Sequence, residues 1–154
     1  MQVQRTIQSQ YLAALKMLKE AIMKCPTTVW DAAQDKDKFW FKAQHVLYWA
    51  HVDVRATSTR FVPWKGHRRP QASRPTSKDE LLEYLAHIER GVTHPGSPSD
   101  LVGSAGARGR FEHLRRAIAS VRHIQQHTGE LYERLGSREN IVLHWTEQVK
   151  RKPQ

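Results

Sequence analysis

Residues 39–55, FWFKAQHVLYWAHVDVR, carry Phe39, Trp40, Phe41, Val46, Leu47, Tyr48, Trp49, Val52 and Val54 with no proline or glycine among them. Wound as a helix at about 100° per residue, these side chains point nearly all round the axis. The segment is therefore predicted to be the most buried helix of the fold, one that its neighbours must cover.

Candidates for those neighbours lie on both sides. From about Thr6 to Cys25, Ile7, Tyr11, Leu15 (with Ala14), Leu18, Ile22 and Cys25 recur every three or four positions, the signature of an amphipathic helix with one stripe to bury. Pro26 ends it, because the residue before a proline is pushed out of the helical region. After the link PTTVWDAAQDKD at 26–37 and the helix at 39–55, Ser77-Lys-Asp-Glu80 matches a capping box. It opens a third helix with Leu81, Leu85 and Ile88 inside and Gly91 as the residue just past its end. A fourth is predicted over 110–135, with Phe111, Leu114, Ile118, Val121, Ile124, Leu131 and Leu135 on one side and Gly136 closing it.

No segment alternates like a strand between hairpin turns, and Ile141-Val142-Leu143 is at most a short extended piece. The predicted class is all-α, four helices packed on one another in a single domain spanning 1–154. The links at 56–76 and 92–108 are each roughly 20 residues, enough to cross the whole length of a bundle, so topologies other than simple up-down-up-down are open.

A net charge of +10 needs an account. Much of it lies between Arg55 and Arg74, where Arg60, Lys65, His67, Arg68 and Arg69 sit among Pro and Ser, and in a second group from Arg108 to Arg122. Such stretches can contact phosphates, but no nucleic-acid motif accompanies them, and a solvated connection explains them as well. The lone Cys25, at helical spacing from Leu18 and Ile22, reads as a small buried core residue. No run reaches the roughly 18 apolar residues of a membrane span, and MQVQRTIQSQ lacks the apolar stretch of a signal peptide. The expectation is a cytoplasmic protein with no membrane partner.

The chemistry-bearing residues are histidines. His123 and His127 stand one helical turn apart on a common face, where two imidazoles can share a metal. With nine histidines in 154 residues, chance supplies about half of one such pair, and for a pair standing alone two solvated or separately bonded histidines are the commoner outcome. His45 is set between Phe41 and Tyr48 on one side and Trp49 and Val52 on the other. An imidazole there needs partners for its nitrogens, whether a metal or a carbonyl or carboxylate. Three neutral imidazoles at the mouth of a bundle suit Zn²⁺, Ni²⁺ or Fe²⁺, with positions left for water or substrate. Glu130 lies on the His123 face, either to orient a ligand or act as a base, or simply facing solvent. Asp53 reads as a helix-end surface charge or an acceptor behind a ligand, and His51, His67, His94 and His144 as solvated.

With these residues in place, the chain resembles the DinB-like proteins, metal-binding four-helix bundles of the bacterial DNA-damage-inducible type. The likeness rests on FWFKAQHVLYWAHVD followed far downstream by VRHIQQHTGELYERL, and extends to YLAALKMLKEAIMKCPTTVWD, SKDELLEYLAHI and LHWTEQVK. Only HPGSPSDLVGSAGARG departs, by its richness in Gly and Ser. The resemblance implies an up-down-down-up bundle with a long crossover between the second and third helices. It also implies that His45, His123 and His127 bind one divalent metal. Related bundles include metal-dependent transferases and isomerases that use low-molecular-weight thiols such as mycothiol or bacillithiol. The expected function is accordingly a metal-dependent thiol transferase or hydrolase acting on a small-molecule substrate or thiol, in a chain able to form a homodimer. A metal that only staples the bundle, and a basic module for nucleic acid or an acidic partner, are the alternatives.

Overall fold

The computed structural model describes residues 2–57, 69–71, 73–93 and 107–149; of 55–57, 107, 108 and 110 it describes the backbone alone. Most of the two long links therefore lies outside the described residues, including Arg60, Lys65, His67, Arg68 and His94. The described chain is all-α: α1 (Gln2–Lys24), α2 (Thr27–Trp30), α3 (Phe39–Thr57), α4 (Lys78–Thr93) and α5 (Ala107–Glu139). No strand occurs among the described residues, and 141–143 is irregular backbone.

The core forms where the apolar stripes meet. Tyr11, Leu15, Leu18 and Ile22 of α1 and Phe39, Val46, Leu47, Ala50 and Val54 of α3 join Leu81, Leu85 and Ile88 of α4 and Ile124, Leu131 and Leu135 of α5 in one buried cluster. In α3, Trp49 is the one side chain among the described ones that is exposed, as the apolar circumference of its sequence requires. Cross-helix bonds give the directions. Gln8 donates to the Val92 carbonyl while Lys78 donates to the Cys25 carbonyl, so α1 and α4 are antiparallel. Tyr11 meets Ser120 and Tyr132 donates to the Met17 carbonyl, so α1 and α5 are parallel. Thr76, just before α4, donates to Gln44, and His51 meets Tyr84, so α3 and α4 are parallel. Lys42 pairs with Glu130 and Asp53 with Ser120, which makes α3 and α5 antiparallel.

The helix ends follow local chemistry, with two corrections. At α4 the capping box is complete: the Glu80 amide donates to Ser77 Oγ (3.2 Å) and Glu80 Oε2 accepts from the Ser77 amide (2.8 Å). Gly91 does not end that helix but lies buried in its last turn. Gly136 does not end α5 either. The helix continues to Glu139, and Asn140 takes the left-handed conformation (φ 54°), with its amide donating to the Gly136 carbonyl at 3.2 Å. Asparagine tolerates that region better than most residues, so the stop falls on it.

The inner face predicted for α5 is also displaced. Phe111 (69% exposed) and Ile118 (44%) face outward. Relative to Ile124 they stand roughly 120–140° round the axis. The buried line instead runs through Ala117, Ser120, Ile124, Thr128, Leu131 and Leu135. Small residues on that line let Tyr11 approach, its hydroxyl 2.7 Å from Ser120 Oγ.

Two further features were not predicted. Residues 140–149 run back along α1, where Ser9 donates to the Val149 carbonyl and Gln10 to that of Glu147, and Ala13 and Met17 of α1 are buried. The link before α3 is fastened as well: α2 forms inside it, Trp40 Nε1 donates to Asp31 (2.7 Å), and Arg134 and Arg138 both bind the Asp35 carboxylate. The Arg138 hydrogen bond, with the charge of Arg134 beside it, holds the Asp35 carboxyl below its ordinary 3.8. A depressed folded pKa gives stability that is present above the unfolded value and lost as pH falls through the folded one. Thermal melts from pH 7 to 2 should therefore show a loss of stability below about pH 4 that is smaller in Asp35→Asn than in the parent. An equal acid slope in both proteins would rule this out.

Candidate metal centre

α3 and α5 cross so that His45 faces His123 and His127. The i, i+4 spacing sets the two α5 rings 4.8 Å apart by centroid, and the His45 ring lies 5.3 Å from His123 and 5.2 Å from His127. One nitrogen of each residue lies within 4.8 Å of the others, and all three side chains are partly buried. Among the described His, Cys, Asp and Glu residues, this is the group of three whose donor atoms converge closely enough to hold a metal ion. Imidazole nitrogens about 2.1 Å from one ion sit roughly 3–3.5 Å apart, which small side-chain rotations can supply.

Protonation favours ligation. Burial is the largest influence lowering the pKa of His45, and the neighbouring His123, His127 and Lys42 add to it. Burial and then His127 do the same to His123. A neutral imidazole is the form that binds a metal. The donor set therefore fits a divalent transition ion.

Carboxylates stand behind the rings. Glu130 Oε2 lies 3.0 Å from His127 Nδ1 and also binds the Lys42 ammonium. The Lys42 hydrogen bond is the main reason its carboxyl is held down to about 2, so it is ionised and can only accept. Glu130 thus partners His127, not His123 on whose face the sequence put it. Asp53 is partly buried, not a surface charge; burial raises its pKa against the lowering hydrogen bond from Ser120. Ser120 links it to Tyr11, whose hydroxyl also reaches the Ala50 carbonyl at 3.3 Å.

The front of the cluster is open. A cavity of about 200 Å³ is lined by Asp37, Phe41, Lys42, His45 and His127, so whatever fills it touches two of the three imidazoles. Trp49 sits edge-on to His45 with centroids 6.5 Å apart, and the Arg69 guanidinium lies 5.8 Å from the Tyr48 and Trp49 ring centroids. A larger cavity of about 260 Å³ between α1 and the tail is lined by Arg5, Thr6, Gln8, Ser9, Leu12, Gln148 and Val149. It offers no metal ligand and no group that titrates near neutral pH, so the smaller cavity is the chemically equipped one.

The remaining histidines divide. His144 is exposed, as expected. His51 is not solvated: it is fully buried, its Nδ1 2.9 Å from the Tyr84 hydroxyl and its ring 5.4 Å from that of His87. α4 covers the side of α3 opposite His45, which no property of the α3 sequence alone reveals. Of the basic residues after Arg108, Arg115 is paired with Glu112 and Arg116 and Arg122 face solvent. Cys25 is buried, and burial pushes its thiol up to about 12, far from a reactive thiolate. No helix among the described residues is long and apolar enough to cross a membrane. No family model, characterised protein or solved structure matches the chain.

Proposed function

We propose that this chain is a DinB-like, metal-dependent protein of the cytoplasm, with His45, His123 and His127 as ligands to one divalent transition ion such as Zn²⁺, Ni²⁺ or Fe²⁺. Supporting the fold part of this reading, α1 and α5 run one way and α3 and α4 the other, the arrangement of an up-down-down-up four-helix bundle whose crossover joins α3 to α4. The observation that carries the functional part is the meeting of three imidazoles from two helices beside an open cavity. Three ligands leave coordination positions free, as catalytic sites do and purely structural ones do not.

The activity proposed is thiol transfer or hydrolysis on a small molecule. A divalent ion in such a site supplies Lewis acidity, lowering the pKa of a thiol or water that reaches its free positions. The protein's own residues do the rest. Phe41 offers an apolar wall, Lys42 a cation and Asp37 an anion to a substrate in the cavity. Trp49, edge-on to His45, offers an aromatic surface beside it.

A small-thiol titration of the cobalt-substituted protein tests this. Thiolate binding should shift the visible spectrum in a saturable way and add a sulfur-to-cobalt charge-transfer band in the near ultraviolet. A spectrum unmoved by thiols or by other small anions would mean that the metal only staples the helices.

A further inference from the structure

The Lys42–Glu130 pair stands beside the three imidazoles without joining them. Glu130 is three residues past His127 on α5, where side chains share a face, and its Oε2 lies 3.0 Å from His127 Nδ1. The same oxygen binds Lys42 Nζ, which comes from α3, the helix that supplies His45. Lys42 is well covered (17% side-chain exposure), whereas Glu130 is more open at 39%. A carboxylate that exposed would otherwise sample several rotamers, and the ammonium from the facing helix restricts them.

We infer that Glu130, clamped by Lys42, is a positioning residue that fixes His127 as the Nδ1–H tautomer and so commits its Nε2 to the metal. An ionised carboxylate has no proton to give, so the proton of that 3.0 Å contact sits on Nδ1 and the lone pair on Nε2. The clamp also ties α3 to α5 beside the ligands, coupling the placement of His45 to that of His127. Hydrogen-bonded carboxylates of this kind raise the basicity of the ligand they hold, and losing one typically weakens metal binding by about 10–100-fold. The inference deepens the three-histidine reading, yet its first test needs no metal.

In metal-free protein, long-range ¹H–¹⁵N spectra of the histidine rings at pH 8 should show His127 as the Nδ1–H tautomer. Glu130→Ala should move it toward the Nε2–H form that free imidazoles prefer, and Glu130→Gln, whose amide oxygen still accepts, should keep Nδ1–H. Competition titration with zinc should then give about 10–100-fold weaker binding for Glu130→Ala, substantially restored in Glu130→Gln. Lys42→Met should fall between the parent and Glu130→Ala, and Lys42→Arg should lie near the parent. An Nε2–H tautomer in the parent, or equal zinc affinity in parent and Glu130→Ala, overturns the assignment. A parent with the Nδ1–H tautomer but no zinc affinity instead overturns the three-histidine metal reading.

Discussion

His45→Ala is expected to carry almost no metal, while the untagged parent, purified without nickel resin, carries about one equivalent per chain by elemental analysis. The expectation follows from the distribution of ligands over two helices. His123 and His127 lie on one helix and can still bind as a pair, but His45 alone brings a donor from α3. Without it, two neutral nitrogens must hold the ion with solvent filling the other positions. The loss should also be visible in stability. Metal at 100 times its dissociation constant adds about 2.7 kcal/mol to the parent. For a chain of this size that raises the melting temperature by roughly 5–10 °C. A chelator should reverse the rise, and His45→Ala should show neither the rise nor the reversal. Equal metal content in parent and variant would remove His45 from the site.

Leu18→Ala is expected to produce the converse pattern, a large loss of stability with metal content unchanged. Leu18 is fully buried on α1, a helix that provides no ligand. Its truncation removes the apolar contact and leaves a cavity between helices that cannot close fully, at a cost of about 2–5 kcal/mol. The melting temperature should fall by roughly 5–15 °C, measured with and without metal. Because Leu18 lies on α1 and the three ligands on α3 and α5, the shift on adding metal should be the same in Leu18→Ala as in the parent. A Leu18→Ala protein that melts normally would place the residue outside the core, and one that folds but loses its metal would show that α1 and the site are coupled.

Much of the molecule was legible along single helices. The stripe of α1, the all-round burial of α3 and the Ser77–Glu80 box depend on residues within a few positions of one another, so spacing and local hydrogen bonding are enough to read them. The shared face of His123 and His127 is legible for the same reason. Where the reading missed, the determinant lay elsewhere in the chain. Phe111 and Ile118 belong to an apolar stripe wider than the contact α5 makes, so they remain outside. His51 looks like a polar residue on the far side of α3 until α4 is laid over it with Tyr84 and His87. The tail over α1 and the Arg134–Asp35–Arg138 clamp join residues about a hundred or more positions apart, with no periodicity to announce them.

Spacing along the chain is enough to establish the main helices and the common face of His123 and His127 on the last one, because backbone periodicity converts spacing into direction. The meeting of His45 with that pair, at ring distances of 5.2 and 5.3 Å, and the place of Glu130 and Lys42 beside His127 depend instead on contacts between helices. A helix fixes the angle at which a side chain leaves its own axis. The crossing of α3 with α5, set by core packing over the whole chain, fixes which side chains meet.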